Sequence, residues 1–243
     1  RRSSDLNNLT KAVNAIKPAR IKAGSLIEAN EKIYRKLVSY ISLVQDLGDG
    51  KKNQTVKYID FEHPAKNEFL VLNQYRVKGH ETIIPDIVIF INGIPVAVIE
   101  CKNPTACDEP EAEAIKQLQR YQNTRNFSKP EGAEQLFYTN QILVAAWRES
   151  ASASTIAAPA RSFKAWKDPH PVQKEVLEEL IGENELTLQD ILLYALFQKE
   201  RLLDLIRNFI VFEHKGNSLV KMLARYQQYR AVNKALARIK QAK

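Results

Sequence analysis

One twenty-residue segment limits the fold more than any other part of this chain: PDIVIFINGIPVAVIECKNP, residues 85–104. Ile87 to Ile91 is a short run without a polar side chain, and Ile94 to Cys101 is a second run that stays apolar until Glu100. Asn92-Gly93 between them is a two-residue hairpin signal, because both central residues of the tight turn need positive φ. Strands that are apolar on both faces must be covered on both faces. The segment therefore predicts a hairpin at the centre of a sheet, with helices above and below.

The hairpin carries three charges, all at one end. Asp86 enters the first strand, and Glu100 and Lys102 close the second. A hairpin sets the start of one strand beside the end of the next, which brings Asp86 near Glu100. Side chains alternate along a strand, so Glu100 and Lys102 share a face and Cys101 points away. Two neighbouring carboxylates repel unless a cation or a proton lies between them. Hard oxygen ligands suit Mg²⁺ or Mn²⁺, with waters and a phosphate completing the shell. The Cys101 backbone carbonyl is a candidate further metal ligand. Lys102 is placed to orient a water or to stabilise charge on a phosphate. The alternative for the triplet is a structural ion cluster at a strand end.

The rest of the chain reads as helices and strands in alternation. Residues 5–47 are expected to be mainly helix, stopped by Gly48-Asp49-Gly50. Residues 54–61 and 68–78 read as strands, residues 109–125 as helix, and 136–147 as further strand. Residues 149–161, rich in Ser and Ala, read as a loop. Helices are expected near 171–181, 187–213 and 218–242, with a break at Gly216-Asn217. This order suits an α/β core followed by a helical segment.

Composition excludes several classes. No apolar run is long enough for a membrane span, and Arg1-Arg2-Ser3-Ser4 does not read as a signal peptide. Two cysteines, Cys101 and Cys107, make no disulfide framework, so a reducing cytoplasm is expected. The four histidines (His63, His80, His170 and His214) have no zinc spacing, and His63 and His80 read as surface or loop residues. The net charge is +8, and residues 197–243 alone hold 11 basic and 3 acidic residues, so the excess sits in the last quarter. Such a stretch suits a phosphate backbone through counterion release, or is a solvated helix face. The predicted last helix carries Lys221, Arg225, Arg230, Lys234, Arg238 and Lys240, facing either DNA or a neighbouring domain.

Pro85-Asp86 followed by Glu100-Cys101-Lys102 resembles the PD-(D/E)XK nuclease motif. The whole segment 85–104 resembles the nuclease motif of restriction (R) subunits of type I restriction-modification enzymes. Gln117-Leu-Gln-Arg-Tyr121 is similar to the Q-x-x-x-Y motif of those subunits, and FKAWKD (163–168), LLDLIRNFIVFE (202–213) and ARYQQYRAVNKAL (224–236) look like later segments of them in order. The resemblance implies a PD-(D/E)XK endonuclease domain over residues 1–168, with a central mixed β-sheet flanked by helices. Residues 169–243 are then a helical extension towards an ATP-dependent motor. It implies a metal-dependent DNA endonuclease: Asp86, Glu100 and the Cys101 carbonyl on Mg²⁺ or Mn²⁺, Lys102 assisting, Gln117 and Tyr121 supporting DNA placement. It also implies double-stranded DNA and modification and specificity subunits as partners. No G-x-x-x-x-G-K-[ST] phosphate loop occurs, so ATP is expected only through a motor that this sequence lacks. Glu28 and Glu31 on the early helix are candidates for an extra acid, with exposed helix charge as the alternative. Trp147 and Trp166 read as core or junction aromatics. A catalytically silent DNA-binding or subunit-docking module of the same complex is the alternative function.

Overall fold

The computed structural model describes the chain except residues 1–2, 18–22, 47–49, 183–184, 217 and 243. Two helices come first, α1 (Ser3–Ile16) and α2 (Leu26–Ser39), then a hairpin of β1 (Ile41–Asp46) and β2 (Lys51–Val56). Strand β3 (Phe69–Asn73), the short pair β4 (Val77–Lys78) and β5 (Thr82–Ile83), β6 (Ile87–Ile91) and β7 (Ile94–Cys101) follow. Helix α3 (Pro110–Tyr121) leads to β8 (Ile142–Trp147) and β9 (Ser150–Ser154). The last part holds α4 (Lys174–Ile181), α5 (Leu188–Phe197), α6 (Lys199–Asn208), β10 (Ile210–Lys215), β11 (Ser218–Leu223) and α7 (Tyr226–Gln241). No helix among the described residues is long and apolar enough to cross a membrane.

The central sheet is mixed, in the order β3-β6-β7-β8-β9. Strands β7 and β8 run parallel and the other neighbours antiparallel. The predicted hairpin lies at its middle, and its turn residues take φ of 52° at Asn92 and 77° at Gly93. Alternation divides β6 between two apolar cores: Ile89 and Ile91 face one, Val88 and Phe90 the other. The first core is completed by Ile33 and Leu37 of α2 and by Leu192, Leu196, Leu202 and Ile206 of α5 and α6. The second is completed by Ala114, Ile115, Leu118 and Tyr121 of α3. Val88, Val96, Ala97 and Val98 have no solvent exposure, and burying each of the three valine side chains contributes about 1.5–3 kcal/mol.

Several expected elements differ. The long early helix is two helices and a strand: Tyr40 takes φ 63°, and Ile41 and Leu43 belong to β1. The expected stop at Gly48-Asp49 lies outside the described residues, apart from Gly50. The 54–61 strand is shifted to 51–56, and the 68–78 strand is interrupted at Gln74, φ 50°. Residues 150–154, expected in a loop, form the edge strand β9 under α5. Ser and Ala favour strands weakly, but only small side chains fit there: Ala151 and Ala153 sit in the first core. The 187–213 helix breaks at Gln198 and ends at Asn208. Its β-branched and aromatic tail, Ile210 to Phe212, pairs instead with residues 221–223. The last helix therefore begins only at Tyr226.

Lys221, expected on a basic helix face, is a fully enclosed residue of β11. Its ammonium donates to Asn30 Oδ1 (2.8 Å), Gln141 Oε1 (2.7 Å) and the Asn140 carbonyl (3.0 Å). Burial holds its pKa well below the usual lysine value. These bonds pin the C-terminal hairpin to α2 and to the approach to β8. Lys221→Ala leaves Asn30 Oδ1 and Gln141 Oε1 without this donor at about 1–3 kcal/mol each, while the Asn140 carbonyl keeps Asn30 Nδ2, so a drop in Tm of roughly 10 °C is expected by calorimetry.

Candidate functional site

The site lies where β6 begins and β7 ends. Asp86 stands just before β6, and its Oδ2 accepts from the Cys101 backbone N–H at 2.8 Å. Its Oδ1 accepts from Gln74 Nε2 at 2.9 Å, and the Gln74 N–H donates to the Asp86 carbonyl, also at 2.9 Å. Both carboxylate oxygens are thus oriented by single donors, and each retains a free lone pair. Gln74 is the member of this set that sequence reasoning missed. It is twelve residues away in the chain, at the irregular exit of β3, and no motif signals it.

Glu100 lies one strand over, on the face covered by α3, because Val98, Glu100 and Lys102 continue one side of β7. It is buried, 2% exposed. Its Oε1 accepts from Lys102 Nζ at 2.8 Å, while Oε2, equally enclosed, makes no hydrogen bond of acceptable geometry with the described residues. Burial raises the Glu100 pKa above the ordinary carboxylate value, and the nearby charge of Asp86 adds to the rise; Lys102, and more weakly the Tyr121 hydroxyl, oppose it. An enclosed carboxylate oxygen with nothing to accept from is costly.

Lys102 also donates to Gln117 Oε1 at 2.7 Å, and Gln117 Nε2 donates to the Tyr121 hydroxyl at 2.5 Å. The hydroxyl in turn reaches the Ile84 carbonyl at 3.4 Å. Gln117 and Tyr121 share one side of α3, as their four-residue spacing predicts. Both point inwards, and Tyr121 is only 2% exposed. Their hydrogen bonds go to Lys102 and to the segment ahead of Asp86. Gly132 fixes how closely the end of α3 approaches: at φ +69° a Cβ there would meet the Arg120 and Tyr121 carbonyl oxygens at 2.3 and 2.4 Å.

Cys101 is exposed as a residue, yet its thiol loses enough water beside Asp86 and Glu100 for its pKa to be pushed up to about 11. A hard cation prefers oxygen to sulfur, so the carbonyl of Cys101 is the group suited to face one. Glu28 accepts from the Gly24 N–H at 2.8 Å, and Glu31 pairs with Arg35 at 2.7 Å, so each is engaged at its own helix. His63 contacts Asp60 and is exposed, and His80 is exposed in the turn between β4 and β5. Trp166 is a core aromatic stacked near Tyr226 and Tyr229, and Trp147 is half-buried against the second core.

No group of three or more His, Cys, Asp or Glu able to hold a metal occurs among the described residues. Two carboxylates suffice for Mg²⁺, which keeps several waters and takes phosphate oxygens as further ligands. The uncovered Glu100 Oε2 beside Asp86 fits that requirement. Because the native state holds the Glu100 proton more tightly than the unfolded chain, stability is lost as pH rises from about 4.3, the unfolded value, through the higher folded value. Glu100→Gln is therefore expected to raise the Tm of the metal-free chain at neutral pH. The gain should vanish below about pH 4, as followed by calorimetry across pH.

Residues 1–151 match the family described as type I restriction enzyme R protein N terminus. The chain is 32% identical over 216 residues to the type I restriction enzyme HindI endonuclease subunit of Haemophilus influenzae, covering 88% of this chain and 19% of that one. It is likewise 32% identical over 216 residues to the putative type I restriction enzyme MjaVIIIP endonuclease subunit of Methanocaldococcus jannaschii, covering 86% and 19%. The chain thus spans about a fifth of the length of these relatives. By the family match over more than half of its length, the chain belongs to the N-terminal family of type I restriction enzyme R proteins.

Proposed function

We propose that this chain is the metal-dependent DNA endonuclease domain of a type I restriction R subunit, built on a PD-(D/E)XK core. The observation that carries the reading is the convergence of Asp86, Glu100 and Lys102, with a buried Glu100 oxygen left uncovered. A structural ion cluster would satisfy that oxygen internally; a ligand oxygen for a metal is left without a hydrogen bond, as this enclosed one is. The nuclease residues fall within 1–168, and residues 169–243 form the extension towards the motor.

Asp86 and Glu100 hold Mg²⁺ or Mn²⁺, with the Cys101 carbonyl as a further oxygen ligand. When bound, the ion supplies Lewis-acid polarisation of the phosphate and a water of lowered pKa. The remaining work falls to the chain. Gln74 and the Cys101 N–H hold the Asp86 carboxylate in one orientation. Lys102, anchored by Glu100 and Gln117, is kept beside the site as a fixed positive charge for a phosphate oxygen. Gln117 is a positioning residue, and Tyr121 closes its far side. Double-stranded DNA is the substrate, in a complex with modification and specificity subunits. ATP acts only in the intact subunit, through its motor.

Calorimetric titration of Mn²⁺ into this chain should show binding that Asp86→Ala and Glu100→Ala abolish while circular dichroism is unchanged. Equal binding in wild type and both variants would move the metal elsewhere. In the assembled enzyme, Asp86→Ala and Lys102→Ala should each lower DNA cleavage by about 100-fold or more, with ATP hydrolysis little changed. Gln117→Ala should cost less, roughly 10-fold, and leave Mn²⁺ affinity near wild type. Retained cleavage by Asp86→Ala would overturn the assignment.

A further inference from the structure

A cleft of about 1010 Å³ lies away from the proposed cutting site, between the 153–166 segment on one side and the β10–β11 hairpin with the start of α7 on the other. Four exposed cations line it, Arg161 and Lys164 from one wall and Lys215 and Arg225 from the other. No Asp or Glu is among its lining residues within the described part of the chain. Lys215 has a loose partner outside the cleft, Glu213 at 3.4 Å, with both side chains about half exposed; such a pair is weak in water. The floor is apolar, from Ile156, Ala158, Phe209 and Leu223 among others. A charge set of one sign over a low-dielectric floor focuses its field on an anionic ligand.

The cleft is tied to the site through α3. Gln122 Oε1 accepts from the Ala157 N–H at 2.9 Å, and Gln119 Nε2 reaches the Ala158 carbonyl at 3.4 Å. The helix whose one side holds Gln117 and Tyr121 against Lys102 therefore holds the cleft wall with another. Along β9, Ser150 pairs with Trp147 at the site end of the sheet, and Ser154, at the cleft, is four residues farther. At about 3.3 Å per residue that is roughly 13 Å, and the two strand spacings from β7 to β9 add about 10 Å sideways, so the cleft lies about five base steps of a duplex from the site.

We propose that this cleft is a second binding site, taking the phosphate backbone of duplex DNA a few base pairs from the cut, a proposal that rests on the nuclease reading. Arg161, Lys164, Lys215 and Arg225 contact phosphates. Contacts of this kind to phosphates fix register and orientation and carry no sequence information.

The test is fluorescence anisotropy of a short duplex with this chain in EDTA, across a salt series. Wild type is compared with the quadruple alanine variant at Arg161, Lys164, Lys215 and Arg225, and with a control in which exposed Lys52, Lys66, Lys129 and Lys174 become alanine. The cleft variant is expected to bind on the order of tenfold or more weakly, and its log K against log salt slope should fall by about 3 to 4. The control should stay near wild type. Equal losses in both variants, or no loss in either, would overturn the proposal. Absence of duplex binding by wild type would also overturn it and leave an acidic protein segment as the occupant. Mn²⁺ titration of the cleft variant should match wild type. That readout reports the nuclease reading separately, so either idea can fail alone.

Discussion

The structure depends on burying one hairpin on both faces. Strands β6 and β7 have almost no polar side chain along their length, so they are stable only with α3 on one face and α2, α5 and α6 on the other. That burial draws α2 and the helices after residue 187 onto a single core. It also sets the cost of placing a charge on these strands. The chain tolerates charge only at the end where the sheet opens, and there Asp86, Glu100 and Lys102 meet.

The electrostatics of that end follow from unequal exposure. Glu100 is held deep enough for burial to outweigh its lysine partner, whereas Asp86 is less enclosed and takes two neutral donors. One carboxylate is thus oriented, and the other keeps an uncovered oxygen. Lys102 is positioned from two sides, by Glu100 on its own strand and by Gln117 on α3. The Q-x-x-x-Y spacing acts here as a brace: its side chains join helix to strand.

The second polar anchor is of a different kind. Lys221 is enclosed without a carboxylate, held by amide and carbonyl oxygens and flanked by the Tyr34 and Phe212 rings at 5.9 and 5.3 Å. Neutral acceptors and aromatic faces hold the lysine without a counter-charge, and burial, which disfavours the charged form, lowers its pKa. The anchor fixes the β10–β11 hairpin against α2, which shapes one wall of the cationic cleft. The basic excess of the last quarter therefore splits: one lysine is structural, Arg230 is paired with Asp168, and Arg225 and Lys215 face the cleft.

The sequence by itself determined what local chemistry can specify: the Asn92-Gly93 turn, the double-faced burial of β6 and β7, the alternation that puts Glu100 and Lys102 on one face, and the spacing of Gln117 and Tyr121. Each depends on a period or a turn within a few residues. Tertiary structure decided the rest. Residues 150–154 became a strand because the surface beneath α5 accepts only small side chains, and no local propensity encodes that. Ile210 to Phe212 left the helical pattern because pairing with 221–223 buries Ile210 in the core, a gain visible only once the partner strand is in place. Gln74 reached Asp86, and Lys221 reached Asn30 across 191 residues, only after folding brought them together. Pairings of that kind are fixed by burial across the sheet, which a reading along the chain does not contain.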